Sequence, residues 1–198
     1  GHRPAWLMKK IRTFVAVEAS PAVRHAALRL IDQLRAAPAQ VKWVEPENMH
    51  VTLKFLGDVD PREIHKVCGA VKGAAAGLEP FELEIRGAGA FPNANRPGTV
   101  WLGAGEGVEK LAALFRPIEK ALEELGFRRE PRQFHAHLTL GRVRRGGPGV
   151  QELGELIRAR ADYQAGRMKV RQATVFSSRL GPEGPTYEVL GNAKLTGK

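Results

Sequence analysis

Twice the sequence sets a histidine, an apolar residue, a threonine and a leucine in a row: "HVTLKFLG" from His50 and "HLTLGRV" from His137. Both runs are short and apolar, as strands are, and both occupy the same place in a repeating order of elements. In the first round "IRTFVAV" (11–17) reads as a buried strand, and Ser20-Pro21 caps and opens a helix over 21–36. Val23, Ala27, Leu30, Ile31 and Leu34 recur on one face of that helix. A loop or short strand around Trp43 leads to the strand at 50–56, a helix from Pro61 to about Ala76 and a half-exposed strand at 81–91. The second round has a strand at 98–104 and a helix at 107–126 with Val108, Leu111, Phe115, Ile118, Leu122 and Leu125 inward. Pro117 is expected to bend or divide that helix. The strand at 137–143 and a helix at 150–161 follow, then two long strands, 166–178 and 185–191, joined by the turn "LGPEGP".

This order predicts an α+β chain: two antiparallel sheets with outer helices, facing each other across a central cleft and related by a pseudo-two-fold repeat. We read one bilobal domain over 11–191, with repeat halves of about 11–90 and 98–191. Residues 1–10 precede it, and Gly1-His2 resembles a cloning remnant.

On strands, alternate side chains share a face, so His50, Thr52 and Lys54 are expected to point one way and Val51, Leu53 and Phe55 into the core. His137 and Thr139 likewise oppose Leu138 and Leu140. Across a two-fold axis the polar faces would bring two imidazoles and two hydroxyls around one reacting atom. Imidazoles near neutral pKa can serve as general base and general acid on opposite sides of an in-line displacement at phosphorus. Threonine hydroxyls can hold the non-bridging oxygens, and arginines can offset developing charge. Such chemistry requires no metal.

Charge agrees with an anionic partner. The net charge is +10, and Arg128, Arg129, Arg132, Arg142, Arg144 and Arg145 bracket the second motif. The other reading is an Arg-rich surface that is simply solvated. His135-x-His137 could ligate zinc, but no further ligands accompany it in sequence. The runs "GAGA" and "GAGEG" lack a phosphate-binding fingerprint and read as loops. With 43% hydrophobic residues, no membrane-length apolar run and a single cysteine, the expectation is a cytoplasmic protein without membrane contact. Cys68 shares a helical face with Ile64, Val67 and Val71, as a small core residue does.

Taken together, "RTFVAVE", "WVEPENMHVTLKFLG", "GAFPN", "VWLG", "FHAHLTLGRV" and "SSRLGPEGPTYEVL" resemble the bacterial and archaeal RNA 2′,3′-cyclic phosphodiesterases. These are also called 2′-5′ RNA ligases, within the two-histidine (2H) phosphoesterase superfamily. The resemblance runs from Arg12 to Leu190. It implies the bilobal 2H phosphoesterase-like fold, no metal and no cofactor, and hydrolysis of RNA 2′,3′-cyclic phosphate ends to 2′-phosphates. It also implies possible reversible 2′-5′ ligation of tRNA halves. His50 would then be the general acid at the departing O3′ and His137 the general base, with Thr52 and Thr139 binding phosphate. His135 sits where such proteins often have a basic residue, which makes it a candidate phosphate contact, and Ala136 sits where they often have proline. Phe14 and Trp43 are candidates to stack a base, although core packing is the commoner role for each. Lys54 is a further candidate contact, and Arg142 a weak one because strand alternation turns it away from His137. A monomer is expected. The alternatives are a non-catalytic RNA-binding module, or a relative acting on small cyclic nucleotides, ADP-ribose cyclic phosphates or 2′-5′ oligoadenylates.

Overall fold

A computed structural model describes residues 9–198, so Gly1 and His2 lie outside the described residues. Strand β1 (Ile11–Glu18) leads to helix α1 (Pro21–Leu34), where the Ser20 hydroxyl accepts a hydrogen bond from the Val23 amide and Pro21 occupies the first turn. Its buried face is Val23, Ala26, Ala27, Leu30, Ile31 and Leu34. Then come β2 (Val41–Trp43), β3 (His50–Val59), α2 (Ile64–Ala75), β4 (Phe81–Asn93) and β5 (Arg96–Ala104). The chain continues through α3 (Val108–Glu124), β6 (His137–Val143), α4 (Val150–Arg158), β7 (Gln164–Val170), β8 (Gln172–Gly181) and β9 (Gly184–Lys194).

Three local readings change. Pro117 lies inside one unbroken helix, α3, and does not divide it. The inward residues of α3 are Leu111, Leu114, Ile118, Glu119 and Leu122, whereas Val108 and Leu125, at its two ends, are exposed. The long strand expected over 166–178 breaks at Arg171, whose carbonyl accepts from the Leu195 amide. The pieces on either side, β7 and β8, go to opposite halves of the molecule. Gly107, before α3, illustrates local necessity: its φ is +94°, and a Cβ there would lie 2.1 Å from the Glu82 carbonyl oxygen.

All strand pairs are antiparallel, in the order β7-β4-β5-β6-β3-β1-β8-β9, with β2 added beside β6. At the centre, β3 and β6 meet through the single pair Val51 and Leu138. The result is one nine-stranded sheet whose two four-stranded halves join at their inner strands, β6 and β3. Read outward from the centre, β6-β5-β4-β7 mirrors β3-β1-β8-β9. β4 belongs to the first repeat yet pairs with the second repeat's β5, and β8 returns to pair with β1. Each lobe is therefore woven from both repeats. Helices α1 and α4 cover the β4–β5–β7 lobe, while α2 and α3 pack together, with α2 against β8 and β9.

One large apolar cluster lies between sheet and helices. Cys68 is half-buried at its margin beside Gly191, and burial pushes its thiol pKa up. A second, small cluster of Phe14, Ala16 and Phe176, flanked by Tyr187, lies apart from that core.

Candidate active site

The Val51–Leu138 pair fixes the geometry of the site. Continuing the antiparallel register one residue each way sets His50 beside Thr139 and Thr52 beside His137. All four side chains alternate with the buried Val51 and Leu138, so they share the sheet face away from the core, and all four are half-buried. The two motifs thus form a square of two imidazoles and two hydroxyls about the pseudo-two-fold axis.

Each imidazole is oriented in the same way. His50 Nδ1 lies 2.7 Å from the Asn48 carbonyl oxygen, and His137 Nδ1 lies 2.9 Å from the His135 carbonyl oxygen. A carbonyl can only accept, so Nδ1 carries the proton in each ring and Nε2 is the nitrogen free to exchange one. Burial lowers the His50 pKa to about 4, opposed by the Asn48 bond and reinforced by His137. Burial also lowers His137, opposed by the His135 carbonyl and reinforced by the nearby His135 and Arg142. Both rings are therefore neutral at pH 7 in the free protein.

The strands leave simple alternation immediately beyond each threonine. Ala16 pairs with Thr52 but Val15 with Lys54, so Leu53 is an extra residue in β3. Likewise Trp101 pairs with Thr139 but Val100 with Gly141, making Leu140 the extra residue in β6. At a bulge two residues oppose one, and the facing of everything after it inverts. The two burial patterns agree over six successive positions, from His50 and from His137.

This overturns three expectations. Lys54 turns to the helix side, where its Nζ lies 2.5 Å from Glu119 Oε1 and 2.7 Å from the Arg128 carbonyl oxygen. With side chains only 4% and 5% exposed, this ion pair is no substrate contact. Phe55, expected in the core, is 65% exposed, with its ring centroid 5.9 Å from that of Phe14. Arg142, expected to face away, comes round to the His137 side, where it donates to Thr99 Oγ1 at 3.3 Å.

The remaining candidates separate. Phe14 is only 3% exposed and stacks under His50 at 4.9 Å, so it supports the imidazole and offers no open ring to a base. Trp43 lies on the helix side: a Cβ on Gly141 would meet its ring at 2.7 Å, and the Arg35 guanidinium stands 6.0 Å from the ring centroid. Its role is packing. His135 is exposed beside Phe91 and Trp101, 5.7 Å from His137 between ring centroids. Among the described residues no three His, Cys, Asp or Glu side chains converge as a metal-binding set.

Sequence reasoning missed the aromatic walls. Phe176 and Tyr187 stand 6.2 Å and 5.3 Å from His50, and Phe91 stands edge-on 5.0 Å from His137. Phe176 faces Phe14 across β1–β8 as Phe91 faces Thr99 across β4–β5, so the repeat places one phenyl ring by each histidine. The Tyr187 phenol pKa is raised by burial, with the charges of Arg142 and Arg12 acting in the opposite direction. No local pattern marks these residues, because they lie on strands that cross between repeats.

A family model described as "LigT like Phosphoesterase" matches residues 17–101 and again 102–187. The chain belongs to this family, and so to the 2H phosphoesterase superfamily. Among its relatives, an RNA 2′,3′-cyclic phosphodiesterase of Methanothermobacter thermautotrophicus is 42% identical over 178 residues, covering 90% of this chain and 95% of that protein. One from Archaeoglobus fulgidus is 37% identical over 180 residues, 91% of this chain and 98% of that one. A crystal structure of a Thermus thermophilus protein superposes with a TM-score of 0.78 at 27% identity, covering 95% of this chain and 100% of that one.

Proposed function

We propose that the protein opens RNA 2′,3′-cyclic phosphate ends to 2′-phosphates by acid/base catalysis between His50 and His137. The carrying observation is the matched pair of imidazoles, each with Nδ1 committed to a backbone carbonyl and Nε2 free, beside the Thr52 and Thr139 hydroxyls. In the step, water oxygen bonds to phosphorus as the P–O3′ bond breaks. His137 takes the water proton and His50 gives a proton to O3′, leaving a 3′-hydroxyl and a 2′-phosphate. The threonine hydroxyls donate to the non-bridging oxygens, and Arg142 adds positive charge. Because His50 is neutral in the free protein, its proton must arrive together with the phosphodiester anion, which favours the charged ring.

The exposed Phe55 ring gives a surface on which the terminal base can stack. A 5′-hydroxyl in place of water would run the same displacement toward a 2′-5′ bond, the reaction that joining tRNA halves requires. We infer a monomer acting in the cytoplasm. No helix among the described residues is long and apolar enough to cross a membrane.

The test is ³¹P NMR of the product from an RNA oligonucleotide ending in 2′,3′-cyclic phosphate. A 2′-phosphomonoester is expected; a 3′-phosphate, or an unopened ring, contradicts the reading.

A further inference from the structure

Four of the arginines that bracket the second motif divide into two groups. Arg129 and Arg132 line a cavity together with Glu119, Glu123 and Glu130, so their charge is locally balanced. Arg142 and Arg144 instead line a groove of about 890 Å³ with Arg35 and Lys42, and that groove has no acidic residue. Among the described residues none of these four cations is paired with a carboxylate.

Their placement follows from strand geometry. Lys42 and Arg142 are direct partners across β2–β6, so the two cations stand side by side on one sheet face. Like charges in that position destabilise a sheet unless something neutralises them. Arg144 lies two residues on, and its amide continues the ladder by donating to the Gln40 carbonyl at 2.9 Å. Strand rise separates it from Arg142 by about 6.6 Å along the same face, a spacing suited to successive phosphates of an extended chain. The row therefore reads His137, Thr139, Arg142, Arg144, running out of the catalytic square.

Lys42 also lies beside the lobe that carries His50. The β8–β9 turn reaches across to it: a Cβ on Gly184 would sit 3.6 Å from Lys42 Cε, and Asn48 Nδ2 donates to the Pro185 carbonyl at 3.0 Å. Asn48 is the residue whose own carbonyl orients His50.

We propose that this row of cations is the track for the RNA chain on the 5′ side of the cyclic phosphate, with Arg142 nearest the reacting phosphate and Lys42 and Arg144 on backbone phosphates beyond it. An RNA with a cyclic phosphate on its last ribose leaves the site by one route, through the 5′ oxygen of that nucleotide. The row of cations gives that route a counter-charge. The inference rests on the proposed phosphodiesterase activity and adds which residues hold the chain on the 5′ side of the reacting nucleotide.

The test compares kcat/KM for a mononucleotide 2′,3′-cyclic phosphate and for a short single-stranded RNA with the same terminal nucleotide, over a range of salt concentrations. The native protein should prefer the oligonucleotide, and salt should erode that preference. In the Lys42→Ala/Arg144→Ala variant the oligonucleotide-to-mononucleotide ratio should fall about tenfold, and the salt slope for the oligonucleotide should become shallower by about 1.4, at about 0.7 per single-strand phosphate contact. The ratio is internally controlled, because a misfolded variant loses both substrates together; a single Lys42→Gln change then replaces the double variant. An unchanged ratio and slope overturn the track. If the native protein opens neither substrate, the catalytic reading has failed; if it opens both equally and without salt dependence, the track alone has failed.

Discussion

In the proposed mechanism His50 and His137 carry the chemistry, and the fold leaves each ring little choice. Each ring has one nitrogen held by a carbonyl two residues upstream, so the other is the only nitrogen that can exchange a proton. Replacing either histidine by alanine should lower kcat by about 10²-fold or more, the usual worth of a positioned acid or base. Steady-state assays with far-ultraviolet circular dichroism as a fold control check this. Burial has a second consequence. His50 has a pKa of about 4 in the folded chain against 6.5 for an unperturbed imidazole, so between those pH values the unfolded chain binds more protons. Stability should be full above pH 6.5 and decline as pH falls toward 4, by roughly 3 kcal/mol at about 1.36 kcal/mol per pKa unit. His137 shifts in the same direction and adds to the slope. Urea denaturation across that range measures it, and His50→Ala should flatten the curve. That His50, Thr52, His137 and Thr139 share one face was legible in the sequence, since His-x-Thr recurs at matching positions. The aromatic residues beside them were not, because nothing local distinguishes a phenylalanine that faces a cleft from one that faces a core.

At the scale of elements, the twin bulges decide which side chains reach the cleft. The first is tied down by the buried pair of Lys54 and Glu119, whose Oε1 also receives the Glu130 amide at 3.4 Å. In the second, Gly141 occupies the place of Lys54 and the Trp43 ring lies over it. Lys54→Met should cost about 3–5 kcal/mol by leaving the Glu119 carboxylate buried without its partner. The double change Lys54→Met/Glu119→Leu should recover most of that loss, since apolar replacement of both members often costs little. Chemical denaturation of the single and double variants separates the two results. Gly141→Ala should destabilise as well, because the Trp43 ring and the Val41 side chain lie 2.7 Å and 2.8 Å from the added methyl. Element types and approximate bounds were legible from apolar periodicity and the Ser20-Pro21 cap. The facing of Lys54, Phe55 and Arg142 was not, because alternation is read as unbroken and a bulge leaves no residue signature in "TLKF" or "TLGR". The same limit applies to Glu119, which is drawn into the core by a partner far away in sequence.

Across the whole molecule, the repeat is legible but its weaving is not. A strand order records which half a strand comes from, not which lobe it joins, and β4 and β8 each cross to the other lobe. A chain cut between β4 and β5 leaves each lobe without strands it needs. Residues 9–93 alone should therefore show no cooperative thermal transition, whereas the full chain should unfold in one step; scanning calorimetry of both checks this. The crossing strands also explain why the site lies at the seam, with one His-x-Thr from each repeat brought together by the single central pair. The central claim is that these two histidines alone move the protons. Its most direct test is single-turnover opening of an RNA 2′,3′-cyclic phosphate in EDTA by the native protein and by the His50→Ala/His137→Ala variant. The native protein should be fully active in EDTA, and the variant should show nothing above background. Activity lost to EDTA, or retained without both histidines, would contradict the claim.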